Sequence, residues 1–128
     1  MENTPEYINE LKANEIFVFG SNESGRHGKG AAKTAMLKFG AEYGKGYGLQ
    51  GQCFAIPTKD SRLKTLPVCE ISTYIDDFLS FAKQHPELKF FVTKIGCGLA
   101  GYSVSEMKDL FISREIPEHV VLPYEFRK

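Results

Sequence analysis

Two stretches of this sequence have the layout that backbone phosphate binding requires. Gly20-Ser21-Asn22-Glu23-Ser24-Gly25-Arg26-His27-Gly28-Lys29-Gly30 follows the apolar run Glu15-Ile16-Phe17-Val18-Phe19. Gly96-Cys97-Gly98-Leu99-Ala100-Gly101-Tyr102 follows Phe90-Phe91-Val92-Thr93-Lys94-Ile95. Glycine lets the chain turn with positive φ and lets backbone approach a ligand closely. A helix opening after such a loop points free N–H groups and a partial positive charge at whatever the loop holds. One such loop is ordinary turn chemistry. Two at equivalent places in an alternating strand–helix chain favour a bound diphosphate. The standard motifs do not match: Gly28-Lys29-Gly30-Ala31-Ala32-Lys33 begins as G-x-G-x-x-G but ends on lysine, and no G-x-x-x-x-G-K-[ST] occurs.

Several side chains near these loops could do chemistry. Asn22, just past the first strand, can hydrogen-bond a ribose hydroxyl or stabilise an Asx-type turn, and position alone favours neither. Lys59, just past Ile56-Pro57-Thr58, could pair with a phosphate or, if desolvated, attack a sugar aldehyde carbon. On residue type alone it is a solvated surface charge. Cys97 sits close to a helix start, which can lower a thiol pKa, but no histidine is near in sequence and Cys97 reads as a small loop residue. His27 reads as an exposed loop residue. Tyr47 and Tyr102 could stack on a base, although core packing is the usual fate of such rings.

The elements that must position these residues follow from periodicity. Thr4-Pro5-Glu6 has the form of a helix start, with a short helix to Leu11. Glu15–Phe19 is a buried strand. Ala31, Ala32, Ala35, Met36 and Phe39 share a helical face that Gly40 terminates. Gly44, Gly46, Gly48 and Gly51 break a loop around Tyr43 and Tyr47. Cys53-Phe54-Ala55-Ile56 is a second strand ended by Pro57, and Thr58 to Pro67 is an exposed connection. Ile71, Tyr74, Ile75, Phe78, Leu79 and Ala82 define the clearest amphipathic helix. Phe90–Ile95 is a third strand. Ser103 and Glu106 match a capping box that opens a helix through Met107, Leu110 and Phe111. His119–Leu122 is a final strand. The alternation predicts an α/β domain with a mostly parallel sheet and helices on its faces. Ligands of such sheets bind beyond the carboxyl ends of the strands.

Composition narrows the function classes. The 128 residues suit one domain, spanning 1–128. Sixteen basic residues balance sixteen acidic ones, so no global field draws in nucleic acid or an anionic membrane, although a local basic pocket is compatible with that balance. No apolar run reaches the roughly 20 residues that span a bilayer, and the polar start lacks a signal-peptide layout. Cys53, Cys69 and Cys97 form no metal-type pair, and no histidine stands at ligand spacing from them. A reduced, cytoplasmic protein without metal, cofactor or membrane partner is expected.

Phe17-Val18-Phe19-Gly20-Ser21-Asn22 with Gly28-Lys29-Gly30-Ala31-Ala32, then Ala55-Ile56-Pro57-Thr58-Lys59, then Ile95-Gly96-Cys97-Gly98-Leu99-Ala100-Gly101-Tyr102, in that order, resemble a macrodomain, the ADP-ribose-binding α/β fold. The third segment is the most specific and resembles the branch that includes the terminal ADP-ribose protein glycohydrolase. The resemblance covers Glu15 to Leu122. It implies a three-layer macrodomain-like sheet with helices on both faces. It implies that Gly28, Gly30 and Ala31 line one side of a diphosphate, that Gly96, Cys97, Gly98, Leu99, Ala100 and Gly101 wrap the other, and that Ser21 and Tyr102 are also ligand-binding. Asn22 would lie near the distal ribose, and Lys59 would match the branch's nucleophile on ADP-ribose C1″. Two departures accompany it. The branch carries an acid–base aspartate where this chain has Ala100, and an alanine moves no proton; Asp60 is the candidate substitute. Only fourteen residues precede Glu15, so the adenine contact that macrodomains make from earlier strands is expected to be absent or supplied differently. The expected function is a macrodomain-like hydrolase acting on ADP-ribose or a derivative, by de-ADP-ribosylation of a macromolecule or by phosphate removal, with Lys59 and Asn22 catalytic. The alternative is a non-catalytic module that binds ADP-ribose or a related phosphorylated nucleotide.

Overall fold

The computed structural model describes residues 2–127. Alternation along the first strand, β1 (Glu15–Asn22), sets the architecture. Its side chains point alternately to opposite faces. Ile16 and Val18 enter one hydrophobic cluster, whereas Phe17 and Phe19 enter another. β3 (Cys53–Lys59) and β4 (Lys89–Val92) flank β1, both parallel to it. β5 (Val120–Val121) continues the parallel set beyond β4, and β2 (Gly48–Gln50) adds an antiparallel edge on β3. The result is a five-stranded, mostly parallel sheet in the order β2-β3-β1-β4-β5. The first strands are near-continuous apolar runs because both faces are covered. α1 (Gly30–Lys38) lays Ala32 and Ala35 on Phe17, Phe19, Cys53 and Ala55. α2 (Val68–Lys83) and α3 (Val104–Ile112) supply the larger cluster, where Phe78 packs between Phe54 and Phe90 with ring centroids 5.0 and 5.4 Å away. Each such buried ring contributes on the order of 1.5–3 kcal/mol of transfer free energy.

The expected α2 face is the observed one: Ile71, Ile75, Phe78, Leu79 and Ala82 are buried. The capping box at Ser103 and Glu106 is also present, with both reciprocal bonds. Gly40 ends α1 at φ +83°. Ala31, by contrast, is exposed rather than on the buried face.

Other elements differ from expectation for identifiable reasons. No helix forms at Thr4–Leu11. The Thr4 hydroxyl donates to Val121 O (3.0 Å) and its N–H to Leu122 O (2.9 Å), so the residue read as a helix cap instead tethers this segment beside β5. Pro57 does not end β3. It pairs with Ser21 where the parallel register slips between Ser21 and Asn22, an irregularity at which a residue without an N–H is tolerated. β3 therefore reaches Lys59, and β1 runs on through Gly20 to Asn22. β4 stops at Val92: the Thr93 N–H and hydroxyl still donate to Val18 O, and the chain then turns, with Ile95 N–H donating to Thr93 O (2.8 Å). The final strand shortens to Val120–Val121, and a 3-10 turn at Tyr124–Phe126 follows it.

Candidate functional site

The carboxyl ends of β1 and β3, the loop after β4 and the start of α1 enclose a cleft of about 430 Å³. The two glycine loops meet at its floor. A Cβ placed on Gly20 would lie 3.6 Å from Gly96 N and from Ile95 Cβ. Ser21, Asn22, Gly28, Gly30, Ala31, Lys59, Gly96, Gly98, Leu99 and Ala100, all expected at the site, line this one cleft. Cys97, Gly101 and Tyr102 do not. The Cys97 thiol packs against the core and reaches toward Ser103 O, and burial pushes its pKa up, opposite to the lowering a helix start can give. Gly101 closes a turn onto Gly98 O at φ +86°. The Tyr102 hydroxyl donates to Leu66 O at 2.5 Å and so braces the loop against the strap before α2.

The first loop is held by its own side chains. Asn22 Oδ1 accepts from Arg26 N–H (2.9 Å) and from the Ser24 hydroxyl (2.8 Å), and its Nδ2 donates to Arg26 O (2.8 Å). This is the turn-stabilising role, and it leaves one amide hydrogen for a ligand. The Ser21 hydroxyl donates to Gly46 O. Glycines 25 and 46 are demanded by this packing: a Cβ on Gly46 would overlap Asn22 O, and one on Gly25 would overlap the Gly44–Lys45 backbone. His27 is fully buried, not exposed as its loop position suggested. Its ring meets Phe19 edge-on at 5.3 Å, and its Nε2 lies 3.1 Å from Lys45 O. Beyond His27 the chain opens toward the cleft. The α1 cap residue, Lys29, supplies no side-chain bond, and the N–H groups of Gly30, Ala31 and Ala32 have no protein acceptor among the described residues. A Cβ on Gly28 would meet nothing within 4 Å.

The second loop is built differently. Gly96 has φ +77°, and a Cβ there would overlap Met107 Sδ, so this glycine is demanded by α3. The α3 N-terminus is occupied by its own capping box: Ser103 Oγ accepts from Glu106 N–H (3.1 Å), and Glu106 Oε1 accepts from Ser103 N–H (3.0 Å). The free donors of this side are therefore those of the loop itself, Gly98, Leu99 and Ala100, whose N–H groups have no backbone acceptor among the described residues. Gly98 also faces open space.

Electrostatics give the cleft its character. Arg26, Lys29, Lys59 and Lys94 line it, and among the described residues no aspartate or glutamate does. Of the four, only Lys94 has a salt-bridge partner among the described residues, Glu125 at 3.5 Å. Arg26, Lys29, Thr58, Leu63, Thr93 and Lys94 were not foreseen as site residues. The basic letters inside the first glycine loop were the available signal for two of them. Asp60 does not serve as the missing acid. Its carboxylate accepts the N–H groups of Arg62 (2.8 Å) and Lys64 (3.0 Å), which hold its pKa below the usual aspartate range, and it does not line the cleft. No cluster of His, Cys, Asp and Glu suited to a metal ion occurs among the described residues. Nor is any of their helices long and apolar enough to cross a membrane. The chain matches no family model, no curated protein and no solved structure.

Proposed function

We propose that this chain is a three-layer, macrodomain-like domain that binds ADP-ribose, or a closely related phosphorylated nucleotide, with its diphosphate in the cleft between the two glycine loops. One observation carries the reading. In a chain of zero formal net charge, four cations and two sets of backbone N–H groups without a protein acceptor among the described residues line one cleft, to which no described residue brings a carboxylate. Cations and oriented N–H groups stabilise phosphate oxygens, and charge-assisted bonds of this kind are the stronger ones. Asn22 acts as a positioning residue that shapes the first loop.

Lys59 supports a second, hydrolytic reading. It lines the cleft without an ion-pair partner among the described residues. Its amine would attack C1″, the bond to the leaving group would break, and water would later release the sugar. Such a reaction must move protons. With Ala100 in the loop and Asp60 engaged in its turn, the lining offers no carboxylate to do so. Binding is the reading the lining supports better.

Calorimetric titration with ADP-ribose, with AMP and ribose 5-phosphate as controls, tests the proposal. Selective binding of ADP-ribose is expected. A folded sample that binds none of the three overturns it. Incubation of wild type and Lys59→Ala with an ADP-ribosylated protein and with ADP-ribose 1″-phosphate then separates the readings. Product from wild type establishes hydrolysis, and its absence from the variant shows that turnover requires Lys59.

A further inference from the structure

Leu63 is the sole non-glycine with positive φ among the described residues, at +65°. That region is natural to glycine and asparagine and strained for leucine. The turn holding it there is over-determined. Asp60 Oδ1 accepts the N–H groups of Arg62 and Lys64, Asp60 N–H donates to Lys64 O (2.8 Å), and Leu63 N–H donates to Asp60 O (3.0 Å). A bridge between Lys59 and Thr65 closes the hairpin, and the Thr65 hydroxyl donates to Ala100 O at 2.8 Å. This last bond ties the hairpin to the second glycine loop at the residue after Leu99. Leu63 and Leu99 thus lie near the two ends of the Thr65–Ala100 bond, and both line the cleft. They are 43 % and 64 % exposed, and neither belongs to a hydrophobic cluster of the core. Folding explains neither side chain, and at position 63 the backbone disfavours the residue present.

We propose that Leu63 and Leu99 form an apolar clamp for the nucleobase of the cleft's ligand. The inference rests on the phosphate-cleft reading and extends it. A cleft with cations and free N–H groups on its lining and two exposed leucines at one tie suits a ligand with an anionic part and a flat apolar part. A nucleotide has both. Covering part of one leucine with a base is worth about a tenfold change in affinity.

The test compares two probes by calorimetry: ADP-ribose, which carries the base, and inorganic pyrophosphate, which does not. Leu63→Asn keeps a residue suited to positive φ, so its melting temperature is expected at or above that of wild type. It and Leu99→Ser each bind ADP-ribose about tenfold more weakly and pyrophosphate unchanged. Leu63→Met, which keeps an apolar side chain, retains ADP-ribose affinity. Variants that bind ADP-ribose as tightly as wild type overturn the clamp, as do variants that lose both probes equally. Equal wild-type affinity for the two probes overturns the clamp and leaves the phosphate cleft standing. Wild-type protein that binds neither overturns both.

Discussion

Gly96 and Gly98 stand two residues apart in one loop, yet the structure gives them unrelated tasks. Gly96→Ala forces an L-residue to φ +77° and drives its methyl into Met107 Sδ, with Met107 Cγ at 3.1 Å. The left-handed backbone costs about 1–2 kcal/mol for a residue other than glycine, and overpacking a closed site costs typically 1–3 kcal/mol more. Met107 is fully buried in the α3 face, so it has little room to retreat. The sum, about 2–5 kcal/mol, is a large share of the roughly 5–15 kcal/mol that stabilises a domain. With a urea slope of about 1–3 kcal/mol/M, the midpoint should fall by at least about 0.7 M. Gly98→Ala meets no heavy atom within 4 Å and needs no positive φ. Its unfolding free energy should stay within about 0.5 kcal/mol of wild type, as for an ordinary surface change. Its affinity for ADP-ribose should nonetheless fall about tenfold or more, because the methyl occupies the approach to the loop N–H groups. Urea denaturation and calorimetry on the two variants read both quantities. A Gly96→Ala midpoint equal to wild type refutes the packing argument. A Gly98→Ala protein that binds ADP-ribose normally refutes the close backbone approach.

Three further outcomes follow from particular contacts. Burial first, and then the hydrogen bond to Glu23 Oε2 (2.6 Å), push the Tyr74 hydroxyl up to about 12; burial also raises Tyr47, so ultraviolet titration should show late-ionising tyrosines, of which Glu23→Gln moves Tyr74 part of the way back toward 10. Because the folded value lies above the unfolded one, this stabilisation is complete below about pH 10 and is lost as pH rises toward 12, so the urea midpoint should fall over that window and fall less steeply in Tyr74→Phe. Ser103→Ala removes the capping box and should cost about 1 kcal/mol in thermal unfolding, while ADP-ribose affinity stays unchanged because the α3 terminus is closed to ligands. Raising NaCl toward about 1 M, where the Debye length shrinks to about 3 Å, should weaken ADP-ribose binding, since four cations line the cleft; salt-independent affinity would falsify the electrostatic account.

The sequence made the loops legible because glycine placement and helix periodicity are local signals. Ile71 to Ala82 and the Ser103–Glu106 box needed no tertiary information. What escaped was decided by contacts across the chain. β2 is three residues among four glycines, and it is held partly by Gln50, whose amide accepts from Glu42 N–H and donates to Lys45 O. His27 reads as a polar loop letter, yet Phe19 and the Lys45 carbonyl enclose it. Pro57 reads as a stop, and only the register slip against Ser21 and Asn22 shows why the strand passes through it. Lys94 reads as part of a strand running to Ile95, yet the strand ends at Val92 and the Ile95 N–H turns back onto Thr93 O. Leu63 sat in a stretch dismissed as an exposed connection, because nothing in its letters announces a left-handed leucine.

The chemistry of Lys59 separates a clamp from a nucleophile more sharply than its deletion does. Lys59→Ala removes a charge and an amine together, so loss of turnover alone could mean lost binding. Lys59→Arg keeps the charge and its reach into the cleft. The guanidinium stays protonated at any usable pH and is no nucleophile. If Lys59 only clamps a phosphate, the arginine variant should bind ADP-ribose within about threefold of wild type, since either cation pairs with a phosphate oxygen. Under the hydrolytic reading the same variant should bind with that affinity and release no product, whatever the incubation time. Activity that persists in Lys59→Arg excludes amine attack. Proton transfer then falls to water and to the ligand's own phosphate, because the four side chains that give this cleft its charge are all cations. A cleft built in that way is well suited to holding an anion and poorly equipped to move a proton.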